Sequence, residues 1–209
     1  MAWSVQAGTG VSSAAASATV ALPASVTSGD LLLLMVDLQS DGTATAPGYT
    51  EVFTDLIGAD RYRLLTKTAG GSETAPTVTL GAAQSWCAMI VRVRGSDGAG
   101  PAQLNAQQSP TTTLSIDPPT AGSLKIGVVH LDPTTLGSVT WAGGVTGAGE
   151  IGNGSTSYVS VGYKEEDTAG AMTFTYSGVV QGTNIGTLIF SLAPGVVAGA
   201  GFLPQIAIT

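Results

Sequence analysis

The chain has 209 residues, of which 44% are hydrophobic and only 10% charged, with a formal net charge of −7 and a pI near 4.3. That acidic balance argues against duplex DNA and anionic lipid as partners, since both require clustered Lys and Arg. A single Cys excludes an internal disulfide framework and a Cys-based zinc site.

The first 17 residues, "MAWSVQAGTGVSSAAAS", form an N-terminal segment without a basic start or a continuous apolar stretch, so no signal peptide is expected and synthesis in the cytoplasm is. The longest apolar run is "LLLLMV", far short of the roughly 20 residues of a membrane helix. Alternating and clustered apolar residues predict strands at 18–24, 30–38, 49–56, 61–67, 77–80 and 85–94, separated by turn clusters such as "SDGTATAPG" and "TAGGSETAP". No stretch holds a sustained helical period with caps, so almost no helix is expected. In the strand at 30–38, Leu31, Leu33, Met35 and Asp37 face one way and Leu32, Leu34, Val36 and Leu38 the other. Both faces are apolar, which predicts a central strand covered on both sides by a second layer or a neighbouring subunit.

The chain then echoes itself. "GDLLLLMVDL" is matched by "GSLKIGVVHL" at an offset of 93, "YRLLTK" by "YVSVGYK" at about 97, and "AMIVRV" by "TLIFSL" at 99. These echoes predict an all-β, jelly-roll-like two-sheet sandwich over 18–194, built from two pseudo-repeats (about 18–97 and 111–194), with two small tandem sandwiches as the alternative. The strand from Leu124 to Leu131 is expected to be the more exposed of the two mates on its Lys125, Gly127 and Val129 side. Residues 195–209 stand outside both repeats. Uncharged and ending in Phe202, Leu203, Ile206 and Ile208, they read as an assembly tail that docks on a partner, for example by adding a strand to a sheet edge.

Little of this carries chemistry. The offset puts His130, the one histidine, at the position of Asp37, so the two could meet at their strand ends with Asp132 nearby. An acid/base pair is one reading; a strand-end histidine bonded to a carboxylate is the plainer one, and no serine sits in a nucleophile elbow. "EED" at 165–167 falls on an expected turn, and "DLQSDG" lacks the ligand spacing for calcium, so no metal or other cofactor is expected. Arg61, Arg63, Arg92 and Arg94 alternate on two strands and would form a basic patch if those strands were close, gripping a carboxylate or an anionic sugar; the plainer alternative is pairing with Asp60 or Glu73. Cys87 lines an apolar face and reads as a buried thiol, Trp86 reads as core, and Trp141 is the better candidate for an exposed aromatic that stacks on sugar.

The succession "LPASVTSGDLLLLMV", "APGYTEV", "RYRLLTKTAGGSETAPTVTL", "SWCAMIVRVRG", followed by a weaker second copy, resembles virion-associated β-sandwich proteins of tailed bacteriophages, found among tail-fibre, tail-tip and head-surface components. The resemblance spans roughly residues 18–193 and implies a non-enzymatic structural protein on the virion surface. Its implied partners are other virion proteins, copies of itself (a trimer being usual for such components) and host surface carbohydrate. The expected role is a fibre, tip or spike element contacting host glycan; the alternative is a capsid decoration protein that stabilises the head. A carbohydrate-active enzyme on the same scaffold ranks third, because no carboxylate pair suited to glycoside hydrolysis stands out.

Overall fold

Covering one side only of the "LLLLMV" strand would leave Leu32, Leu34, Val36 and Leu38 in water. At about 2 kcal/mol per aliphatic side chain the loss approaches 8 kcal/mol, comparable with the whole stability of a typical domain. The computed structural model, which describes residues 3–57, 60–96, 100–101, 103–107, 122–131, 138–153, 156–166 and 185–195, resolves this by stacking sheets on both sides.

The described residues are all-β, with no helix among them. The strands are β1 (Ser4–Ala7), β2 (Val11–Ser13), β3 (Ser17–Thr19), β4 (Leu31–Leu38), β5 (Ala44–Thr45), β6 (Thr50–Ile57), β7 (Asp60–Thr68), β8 (Thr77–Leu80) and β9 (Trp86–Arg94). They continue with β10 (Gln103–Gln107), β11 (Ser123–Leu131), β12 (Thr146–Asn153), β13 (Ser157–Glu166) and β14 (Ile185–Leu192). A middle sheet has the order β1-β9-β4-β7-β6, with β2 also paired to β9; a second sheet runs β10-β14-β11-β13-β12; a small third sheet runs β3-β8-β5. Every residue of β4 is buried. Leu31, Leu33 and Met35 join Leu64, Met89 and Val91 against Leu124, Ile126, Val128, Val161 and Phe190 of the second sheet. On the opposite face Leu32, Leu34, Val36 and Leu38 pack with Trp86 and Ile90 against Val78 and Leu80 of the small sheet and Val20 just past β3.

The middle and second sheets have the same order, strand for strand. Leu31 of β4 pairs with Val93 and with Thr68; Leu124 of β11, 93 positions later, pairs with Leu192 and with Glu165, shifted by 99 and 97. Even the irregularities correspond. The β6/β7 ladder slips between Glu51 and Phe53, and the β12/β13 ladder slips between Gly147 and Gly149 at the matching register. The turn entering each bulged strand also recurs, with Tyr49 N–H donating to Ala46 O at 3.1 Å and Val145 N–H to Ala142 O at 3.3 Å. Each of these turns holds a glycine at positive φ, Gly48 at 78° and Gly144 at 80°. Equivalent faces of the two sheets oppose one another, and a rotation that turns a face onto itself is a half-turn about an axis lying between the layers.

The middle and second sheets form the expected two-sheet sandwich, and β3, β5 and β8 add a small third sheet over the outer face of the middle one. Two expectations change. β11 is buried at all nine residues, Lys125 included, so it is no more exposed than β4. The strand expected at 18–24 is only β3; Val20 N–H still donates to Pro76 O at 3.0 Å, but Pro23 supplies no N–H, and from Ala24 on side chains hold the segment.

Those side chains are Arg92 and Arg94. Arg94 makes a two-pronged bond to Asp30, Nε to Oδ1 at 2.8 Å and Nη2 to Oδ2 at 2.9 Å, and also donates to Ser25 O and Thr27 Oγ1. Arg92 donates to Ala24 O at 2.8 Å and to Ser4 Oγ at 3.0 Å. Asp30 further accepts from Thr27 N–H at 2.8 Å. Burial pushes the Asp30 carboxyl up, but the bonds from Arg94 and Thr27 outweigh it and hold it below its ordinary value. A depressed carboxylate stabilises the fold above its unfolded value, about 3.9, and that contribution disappears as pH falls through the folded value. Asp30→Asn is therefore expected to lower Tm by about 3–6 °C at pH 7 and by less below pH 4, measured by thermal unfolding across pH 2.5–7.

Candidate functional site

The second sheet brings Asp37 and His130 together. His130 Nδ1 lies 3.6 Å from Asp37 Oδ1, and both side chains are at least 98% buried between the sheets. Asp37 Oδ2 accepts Tyr158 N–H at 3.1 Å, and the imidazole stacks on Tyr62 with ring centroids 4.4 Å apart and planes at 20°. Because the two residues occupy equivalent positions of the two sheets, their contact lies close to the axis that relates the halves. Burial, then the Asp37 charge, pushes both the Tyr62 phenol and the Cys87 thiol well above their ordinary values. Cys87 is a buried thiol, its Sγ 3.7 Å from Ile151 O. The pair is sealed between the sheets and joins a residue of the first half to its counterpart in the second. An unaltered repeat would set like against like at the axis. His130→Asp, which puts two carboxylates in contact, is expected to cost about 3 kcal/mol or more, whereas exchanging the two residues recovers most of that loss, read by chemical denaturation.

The four arginines do not make one patch. β7 and β9 flank β4 on opposite sides, and Arg61 and Arg63 pair with Leu38 and Val36 while Arg92 pairs with Leu32 at the other end. They also find acidic partners besides those expected. Arg61 meets Asp41 at 2.5 Å, Arg63 meets Glu51 and the Gly42 carbonyl, and Arg94 meets Asp30; Glu73 instead pairs with Lys67 at 2.6 Å. Arg61 and Arg63 border an open pocket of about 410 Å³ with Ser40, Thr43 and Gln84 on its other walls. Asp41 and Glu51 already offset both positive charges there. Glu165 and Glu166 end β13 instead of forming a turn, and no three of His, Cys, Asp and Glu cluster as metal ligands among the described residues. Asp132, Asp167 and the tail residues Phe202, Leu203, Ile206 and Ile208 lie outside the described residues.

Trp86 is fully buried and donates its indole N–H to Ala15 O at 2.9 Å. Trp141 is half-buried and lies on the outer face of the second sheet. Gly147 and Gly162 are direct cross-strand partners on β12 and β13, and together they give it a flat bed. A Cβ on Gly162 would come within 2.5 Å of Trp141 Cδ2 and 2.8 Å of Cε2, and one on Gly147 within 3.5 Å of Cδ1, so the indole rests face-on over backbone. Its N–H donates to Ser160 Oγ at 3.1 Å. Trp141, Ser138, Ala148, Glu150 and Ser160 line a surface pocket of about 300 Å³. Tyr158 O–H donates to Glu150 Oε2 at 2.6 Å; burial, then this carboxylate, raises the phenol's pKa and keeps it a donor. The sequence marked Trp141. Glu150 and Ser160 escape a linear reading, because only the β12/β13 register sets them beside the ring.

No family model, curated protein or solved structure matches this chain.

Proposed function

We propose that the chain is a non-enzymatic structural protein of a tailed phage particle, displayed on the virion surface as a fibre, tip or spike component that contacts host surface glycan. The observation that carries this reading is the Trp141 plate, held face-on over Gly147 and Gly162 beside Glu150 and Ser160. A flat apolar ring flanked by hydrogen-bonding groups is the combination a sugar needs, with its C–H face on the ring and its hydroxyls at the rim. The motif order shared with virion sandwich proteins supports the setting. So does the alternation of strands between layers, β2-β9-β4-β7 on one sheet and β3-β8-β5 on the next, which has the character of a jelly roll, a scaffold used by capsid and lectin domains.

One observation favours the alternative, a capsid decoration protein. Edge strand β6 carries Val52 and Leu56, the large hydrophobics exposed among the described residues, at 42% and 38%. An apolar edge of this kind suits contact with neighbouring subunits. In either role the protein works with other virion proteins and with copies of itself, as a trimer by analogy with such components. Immunogold electron microscopy of intact particles, with antibody raised against residues 1–194, separates the two readings. Gold at the tail tip or on discrete spikes is expected, whereas gold spread evenly over the head assigns the decoration role and removes the glycan reading.

A further inference from the structure

The pocket beside Trp141 also carries information about which sugars it takes. Its volume, about 300 Å³, sits at the lower end of the roughly 300–1,000 Å³ range of small-molecule sites. That suits one sugar ring and not an extended chain. Its polar lining consists of the hydroxyls of Ser138 and Ser160 and the carboxylate of Glu150, and no Lys or Arg lines it among the described residues. Glu150 is exposed, and its Oε2 is engaged by Tyr158 O–H and, at 3.3 Å, by Val139 N–H, so neither of these donors occupies Oε1. The chain as a whole carries −7. A carboxylate-bearing sugar would meet the like charge of Glu150 in a pocket whose lining offers no Lys or Arg to offset it, whereas a hydroxyl or an ammonium is a donor that Glu150 accepts.

We infer that the Trp141 pocket binds a terminal pyranose without an acidic group, stacked on the indole and hydrogen-bonded to Glu150, and that it rejects sialic and uronic acids. The inference rests on the glycan-contact reading above and narrows it to a ligand class. The indole supplies apolar contact common to all pyranoses, and Glu150 supplies the selection.

The test presents the full chain to immobilised oligosaccharides ending in uncharged hexoses or amino sugars, and to the same oligosaccharides capped with sialic or uronic acid. Uncapped glycans are expected to bind and capped ones to bind at least tenfold more weakly. Trp141→Ala is expected to weaken binding about tenfold or more and Trp141→Phe much less. Glu150→Gln keeps the plate in place; it should weaken the uncapped glycans several-fold while narrowing the gap to the capped ones. Since Trp141→Ala uncovers Gly147 and Gly162, its unfolding midpoint is read in parallel, and Glu150→Gln decides the matter if that variant does not fold. Preference for capped glycans, lost in the Trp141 variants, overturns the ligand class but keeps the glycan reading. Glycan binding indifferent to both positions overturns the site. Absence of binding to every glycan overturns the reading and the inference together.

Discussion

The structure depends on one constraint, a strand with no polar face. β4 has aliphatic side chains on both sides along almost its whole length and is buried throughout. In a two-layer sandwich one face of each sheet meets water, so such a strand is stable only in the middle of three layers. The first half of the chain supplies one cover by sending β3, β5 and β8 out of the middle sheet, and the second half supplies the other. Neither half alone hides β4. That requirement ties the halves into one folded unit.

The second cover is a version of the first sheet with the same order, the same bulge and the same turn before the bulge. Two related sheets packed face to face bring equivalent residues together at the axis between them. There the halves differ, Asp37 against His130, so that a carboxylate meets an imidazole. The outer face shows a second, compensating difference. Leu65 of β7, which packs beneath Ala44 and Ala46, corresponds by register to Gly162 of β13, and the space left there is taken by the Trp141 ring. At this position the second half thus packs an aromatic ring against the sheet where the first half packs an aliphatic side chain.

Much of this was legible in the residues. The period of two gave β4, β6, β7, β8 and β9 to within a residue or two, and the doubly apolar run required cover on both sides. The self-similarity offsets of 93, 97 and 99 are those between the paired strands of the two sheets. What pattern cannot supply is lateral order. Arg61 and Arg63 share a face with Arg92 and Arg94, yet β4 separates the two strands and the pairs sit at opposite ends. Arg94 serves as a clamp because Asp30 lies 64 residues away in sequence and beside it in space. Glu150 and Ser160 become neighbours of Trp141 only through the β12/β13 register, which the bulge shifts by one residue.

The claim at the centre of this account is that β4 is buried between the two halves, which unfold as one. Native-state hydrogen exchange of the full chain tests it most directly, following the amides of Leu31–Leu38 and Ser123–Leu131 with increasing denaturant. The account predicts that both strands exchange only by global unfolding, with the same free energy and the same denaturant dependence. Exchange of β4 at the rate of the loops, or loss of β4 protection while β11 stays protected, would contradict it.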